Sequence, residues 1–441
     1  MTSVAPGIDV AVAEPVRVEW RFGTRLAFRF LVVYFGLYVL TTQMLHAMIP
    51  SPVPGFPSFE RLPPLLPLFM WTAKRVFGIG QTPVVVSGSG DKYLDWIAVA
   101  WILTIATVTT AAWSFVDRRR PAYPASFARF CVFMRFALGA TMISYGFVKA
   151  VPLQMPYPQL SRLVEPYGHF SMMGVLWYSI GASPAYEIFT GSVEALAGML
   201  LFLPQTALLG GLLSLAATTE IFVLNMTYDV PVKLFSFHLI LMSLFLLAPD
   251  ARRLRDVLFL NRSVTASAHR PIARGLRARR IFFWGQVVFG VWLVASNLVS
   301  ARRSWYQFGG GAPKPPLYGL WSVDEMAIDG QSRAPLVTDY GRWRRVIVQF
   351  QTNIRFQRMD DTFVDYGAKV DTWAKTIALT KGNDASWKAT LSYQQPSPDA
   401  LLLAGDMDGH SVRLTLSRID LQSFLLARGG FHWIQERPFN R

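Results

Sequence analysis

The chain has 441 residues, of which 52% are hydrophobic and 16% charged, against about 25% charged in an ordinary soluble domain, which excludes a plain soluble enzyme. The net charge of +15 is uneven: residues 1–303 hold 27 Lys/Arg and 14 Asp/Glu, residues 304–441 hold 16 and 14, so the excess follows the apolar part and does not point to a nucleic-acid partner. Cys131 is the only cysteine, which excludes a disulfide, a thiolate zinc site or a CxxC pair within the chain; it reads as a small buried hydrophobe.

A helix crossing a bilayer needs about 20 mostly apolar residues, because an unpaired backbone amide is costly in hydrocarbon. Seven stretches qualify, at approximately 30–49, 95–116, 129–150, 184–203, 206–225, 232–248 and 281–300. Short cytoplasmic loops collect Lys and Arg. The basic clusters are Arg17, Arg21, Arg25 and Arg29 before the first span, Arg118 to Arg120 after the second, and nine arginines from Arg252 to Arg280 after the sixth. Seven spans with the N-terminus inside put all three on the cytoplasmic face and the last 140 or so residues outside, with Arg302 and Arg303 as a mild exception.

The connection from Pro50 to Asp95 has seven prolines by Pro67 and then an aromatic, basic stretch containing Phe69, Trp71, Lys74, Arg75 and Phe77, which reads as interfacial. The run Ser87-Gly-Ser-Gly-Asp91 lacks the preceding strand and following Lys-Ser/Thr of a phosphate loop and reads as a turn capping span two.

Ionisable residues inside spans are candidate functional groups. On span three, Arg135, Gly139, Met142, Gly146 and Lys149 share one helix face, as do Glu187, Gly191, Glu194 and Gly198 on span four. Glycines on such a face allow close helix approach while the charges point inward. Span five adds Glu220 beside Ala216 and Ala217, followed by Asn225 and Asp229; span six begins at Lys233 and carries His238. At about 1.5 Å per residue, Glu194 lies near mid-bilayer, Lys149, Glu187, Glu220, Asp229, Lys233 and His238 in the outer half, and Arg135 toward the inside. The expectation is a polar cavity opening outward between spans three and six, with Lys149 and Lys233 paired to some of the acids and Glu194 the sharpest candidate for proton exchange. The plainer alternative is that these charges fix helix register or snorkel to headgroups. His46 and His238 make a weak haem pair, and neither HExxH nor a nucleophile motif occurs.

The segment from Arg135 through Tyr145-Gly-Phe-Val-Lys149, followed by Gly191-x-x-Glu194-x-x-x-Gly198, resembles the four-helix DoxX-like membrane family over about residues 129–260. That family includes the small subunit of a thiosulfate:quinone oxidoreductase, so the resemblance implies a quinone-linked role, with quinone as cofactor and a redox partner carrying the metal or flavin. The family is distantly similar to the membrane domain of vitamin K-dependent carboxylases, where an intramembrane Lys is the base; Lys149 compares with it. Spans one, two and seven and the C-terminal part are additions to the family pattern.

From Tyr318 onward apolar residues alternate with polar ones, as in Trp387, Ala389, Leu391 and Tyr393, or Val412, Leu414 and Leu416. About eight strands in about 120 residues suit a closed antiparallel barrel. Its opening Gly319-Leu-Trp321 resembles the start of lipocalin-like barrels, which implies a late Arg, Arg418 or Arg428, packed across the Trp. Such a barrel either holds a small ligand or is filled by its own side chains. The aromatic and basic tail, Phe431-His-Trp-Ile434 and Pro438-Phe-Asn-Arg441, is expected to dock on the barrel mouth or the membrane domain; His410 and His432 read as ordinary surface or packing residues.

The expected architecture is therefore an α-helical membrane bundle of about seven spans plus an all-β antiparallel barrel. It comprises a cytoplasmic segment (1–28), a transmembrane domain (29–303) and an extracytoplasmic barrel (304–441) in the plasma (inner) membrane. The expected function is binding of a quinone or lipid, as a subunit of a quinone-linked redox system; the alternatives are a lipid or proton-coupled transporter and a non-enzymatic scaffold. Expected partners are the bilayer and a redox or other membrane protein, with no nucleic acid.

Overall fold

The computed structural model describes residues 19–49, 65–265, 275–382, 384–438 and 440. Arg17, most of the proline-rich segment, Arg270, Arg274, Phe439 and Arg441 lie outside them. Twelve helices are described: α1 (Phe22–Thr41), α2 (Gln43–Met48), α3 (Leu66–Arg75), α4 (Tyr93–Val116), α5 (Pro124–Ala150), α6 (Met172–Gly181), α7 (Pro184–Phe202), α8 (Ala207–Thr227), α9 (Lys233–Leu247), α10 (Ala251–Leu258), α11 (Leu276–Gln307) and α12 (Leu425–Arg428). Seven of the helical segments are long and apolar enough to cross a membrane, the sixth running on from Lys233 to Leu258. This is an integral membrane protein.

The contacts divide the chain into two compact units: one of Met1–Gly146 and Val193–Leu298, the other of Phe147–Ser192 and Val299–Arg441. The division falls within α5, α7 and α11 rather than at residue 304.

In the first unit, α1 begins eight residues before the expected start of the first span, so Arg25 and Arg29 are helical residues rather than a loop cluster. Arg29 is buried. Its guanidinium donates to Tyr123 Oη, Ser114 Oγ and the Asp117 carbonyl at 2.7–3.1 Å, and Tyr123 donates in turn to Asp117 Oδ2 at 2.8 Å. A buried guanidinium is tolerated because its donors are satisfied; the network pins the turn between α4 and α5 against α1. Gly139 of α5 and Gly198 of α7 meet backbone to backbone: a Cβ on Gly198 would lie 2.5 Å from the Gly139 carbonyl oxygen, confirming the close approach read from the glycine stripes. Around this crossing pack Met134, Leu138, Met142, Leu201 and Met242. Cys131 is only half-buried at the rim of that cluster.

The second unit contains a closed barrel. Its strands are β1 (Gly319–Ile328), β2 (Gln331–Ser332), β3 (Trp343–Val348), β4 (Asn353–Arg358), β5 (Phe363–Asp371), β6 (Thr376–Lys381), β7 (Asp384–Ser397), β8 (Ala400–Met407) and β9 (His410–Arg418). Each pairs antiparallel with its neighbour, and β1 closes on β9. Two-residue β2 only extends the β1 hairpin, leaving eight strands in the wall. Closure removes free sheet edges.

Inward residues from around the wall, among them Trp321, Val346, Phe356, Leu379, Leu391, Leu403 and Leu414, form one cluster of near-zero exposure. A void large enough for a ligand would leave their inner surfaces accessible, so side chains fill the barrel. Arg418 is the cross-strand partner of Trp321, and a Cβ on Gly319 would lie 3.3 Å from both Arg418 Nε and Trp321 Nε1. Of the two expected arginines, Arg418 is thus the one beside Trp321. A bulge at Val323–Glu325 exposes carbonyls that buried Arg342 satisfies, donating to Val323 at 3.0 Å and also to Arg333 and Trp343; burial lowers the Arg342 pKa.

The same unit includes the chain between α5 and α7. Leu160 packs with Leu320 and Ile347 on the outside of the barrel, flanked by Leu163, Val164, Phe363 and Phe424. Leu160 N–H donates to Gln349 Oε1 at 2.8 Å, Arg355 to Ser161 Oγ at 3.2 Å, and Gln357 Nε2 to the Val164 carbonyl at 3.2 Å. A loop joining two membrane helices is therefore part of the barrel's coat. At the end of α11, Gly310 and Gly311 fold against the Trp305 ring so closely that a Cβ on either would come within 2.5 Å of it, and Gly309 sits against Leu153 of the post-α5 turn.

Candidate functional site

Arg135, on α5, is buried. Nε donates to the Leu201 carbonyl at 2.7 Å and Nη2 to the Phe202 carbonyl at 2.8 Å, with Gln286 Oε1 at 3.5 Å. These are the last carbonyls of α7, so Arg135 caps that helix, its charge facing the negative end of the dipole.

Lys149 and Glu187 belong to the second unit: Lys149 is in electrostatic range of the Glu187 carboxylate, which accepts the Met155 backbone N–H at 2.8 Å. Trp177 Nε1 donates to the Gln154 carbonyl at 2.9 Å. Glu187, wholly buried, thus fastens the turn after α5 to the first turn of α7.

The other pair, Lys233 and Asp229, meets at 2.8 Å at the start of α9. The sequence reading missed its third member. Asp91 lies 3.9 Å from Lys233 Nζ, and its carboxylate accepts the backbone N–H groups of Lys233 and Leu234 at 2.9 Å each. The Ser87–Asp91 run therefore caps span six through Asp91, not span two. Span two is capped by Asp95, whose Oδ2 accepts both the Lys92 backbone N–H and the Lys92 ammonium at 2.8 Å each. No local signal announces a cap supplied from 142 residues away.

His238 is buried among aromatic rings, stacked on Tyr38 with centroids 3.9 Å apart and planes 5° apart. Nδ1 faces the Leu234 carbonyl at 2.7 Å and Nε2 the Tyr34 hydroxyl at 2.6 Å. A carbonyl only accepts, so Nδ1 carries a proton, and in the neutral ring Nε2 accepts from Tyr34; both nitrogens are engaged. Neither nitrogen is left for a metal without breaking these bonds.

Glu194 is buried, 3% exposed, one helical turn before the Gly139–Gly198 crossing. It lies in electrostatic range of Tyr145, whose hydroxyl donates to Gln43 Oε1 at 3.1 Å. Glu220 departs from the expectation. The buried face of α8 is Gly210, Gly211, Ser214, Thr218 and Asn225, while Glu220 lies on the exposed side, two residues and therefore about 200° away from Thr218. Asp229 is exposed as well. Among the described residues no group of three His, Cys, Asp or Glu is arranged to hold a metal ion.

The chain is 30% identical over 138 residues to the uncharacterized protein YwoB of Bacillus subtilis (strain 168), a match covering 83% of that protein and 31% of this chain. The chain belongs to the family of YwoB. YwoB is matched over most of its length, so the greater part of the present chain lies beyond the shared region. No protein-family model matches the chain, and no solved structure matches it.

Proposed function

We propose that the protein binds an amphipathic molecule with a polar head in the membrane through the cluster of Glu194, Tyr145 and Gln43, with Glu194 as the proton-exchanging group. The observation behind this reading is the Glu194 carboxyl, buried within an apolar bundle in electrostatic range of the Tyr145 hydroxyl. A carboxyl group donates to a lipid carbonyl or phosphate when protonated and accepts from a headgroup when ionised, which suits it to proton exchange.

A quinone is the alternative occupant, its carbonyl accepting from protonated Glu194 as a lipid ester carbonyl would, while the Tyr145 hydroxyl is committed to Gln43 and Arg135 to Leu201 and Phe202. The resemblance to the DoxX-like family remains part of the proposal, with a structural meaning for its motif: Arg135, Lys149 and Gly198 all serve the pairing of α5 with α7. A lipocalin-like origin of the barrel rests on Trp321 beside Arg418. The basic clusters support a cytoplasmic N-terminus and an extracytoplasmic barrel at the plasma membrane.

The test is native mass spectrometry of the protein released from its own membrane, comparing wild type with Glu194→Gln. A stoichiometric lipid retained by wild type and lost from the variant is expected. A protein reproducibly free of bound molecules overturns the reading in favour of a scaffold, which the structural uses of Arg135, Glu187 and Asp91 already favour as the second reading.

A further inference from the structure

The C-terminal segment carries an apolar surface of its own. Phe431, Trp433 and Ile434 are 77%, 91% and 85% exposed, with Phe431 edge-on to Trp433 at 4.9 Å. Leu425 and Leu426 just before them are also exposed, and Arg428 and Arg437 flank the group. Side chains of this size and polarity favour removal from water, so this surface needs an occupant.

Its surroundings name one. The Leu426 carbonyl accepts from Tyr157 Oη at 3.3 Å. Tyr157 follows the end of membrane helix α5 by seven residues, and the intervening turn is folded back on the first turn of α7 by Glu187. Tyr157 therefore stands at the level where membrane helices end. Tyrosine and tryptophan concentrate at that level, where one end of the side chain is apolar and the other wet, and arginines beside them reach headgroup phosphates.

We propose that the segment from Leu425 to Ile434 is an interfacial anchor, laying Phe431, Trp433 and Ile434 into the headgroup boundary of the phospholipid layer beside the barrel. The anchor does not depend on what the Glu194 cluster binds.

The single cysteine makes a direct test available. In a Cys131→Ser background, Trp433→Cys is labelled with an environment-sensitive nitrobenzoxadiazole dye and the full chain is placed in phosphatidylcholine nanodiscs. Val337→Cys, exposed on the barrel between β2 and β3, serves as the aqueous reference, and Ile434→Cys gives a second tail position. The tail labels are expected to emit to the blue of the reference and to lose intensity when the lipid acyl chains are brominated. Emission equal to the reference overturns the anchor. So does a blue shift insensitive to bromine, which means that protein covers the tail, a second copy if the shift grows with two chains per disc.

Discussion

The Asp91 carboxylate accepts the backbone N–H of Lys233 at 2.9 Å and lies 3.9 Å from the same residue's ammonium. The loop before α4 thus closes the N-terminus of α9 by hydrogen bond and charge together. Asp91→Ala removes both and is expected to cost about 1–2 kcal/mol, read as a lower unfolding midpoint in detergent; Asp91→Asn keeps an acceptor and recovers part of the loss. Equal midpoints for wild type and Asp91→Ala contradict this role.

Arg135 closes the other end of the bundle. Arg135→Leu strips the donors from the Leu201 and Phe202 carbonyls in a buried setting and is expected to cost on the order of 3 kcal/mol. Arg135→Lys rescues only partly, because an ammonium lacks the planar fork that reaches two carbonyls at once. Full rescue by Lys in a thermal melt would mean that charge alone matters.

The α5–α7 crossing tolerates no side chain. Gly198→Val forces the helices apart, at a cost of about 1–3 kcal/mol or more, whereas Gly36→Val, where nothing lies within 4 Å of an added Cβ, is expected to be nearly silent. Comparing the yields of folded protein by size-exclusion chromatography separates the two.

Acid sensitivity is expected at the barrel's turns. Asp329, Asp360, Asp371, Asp384 and Asp408 all have pKa values held below the ordinary 3.8, chiefly by hydrogen bonds: from His410 to Asp329, from Thr362 to Asp360, from the Ala374 and Trp373 N–H groups to Asp371, from Ser386 to Asp384, and from Trp387 and Lys381 to Asp408. A carboxyl more acidic in the folded state stabilises that state fully above its unfolded pKa and loses the effect as pH falls through the folded value. The unfolding midpoint is therefore expected to be flat with respect to these groups above about pH 4–5 and to fall below it. Replacing Asp371 and Asp384 by Asn flattens the acid limb. An unchanged acid limb places the sensitivity elsewhere.

Periodicity revealed the spans and the strands because each depends on residues close in sequence. Apolar length marks a membrane helix, and alternation at Trp387–Tyr393 or Val412–Leu416 marks a half-buried strand. The Gly139–Gly198 crossing was legible for the same reason: a glycine on a regular stripe already says which face meets a neighbour. What stayed hidden depends on distant partners. Arg29 reads as a loop charge until Tyr123 and Asp117 fold over it, and Asp91 reads as a local turn residue until Lys233 arrives. Glu220 was misplaced because α8 buries small polar residues, Ser214, Thr218 and Asn225, so its inward face looks no more functional in sequence than its outward one.

The coat that Leu160, Leu163 and Val164 lay on the barrel also constrains the order of assembly. Ribosomes add about 5–20 residues per second, and Leu320 and Ile347, the surfaces that receive Leu160, follow it by roughly 160 to 190 residues. For about 8 to 40 s the loop waits beside a nascent chain with its apolar side chains uncovered, until β1 and β3, among the first barrel strands synthesised, arrive to cover it.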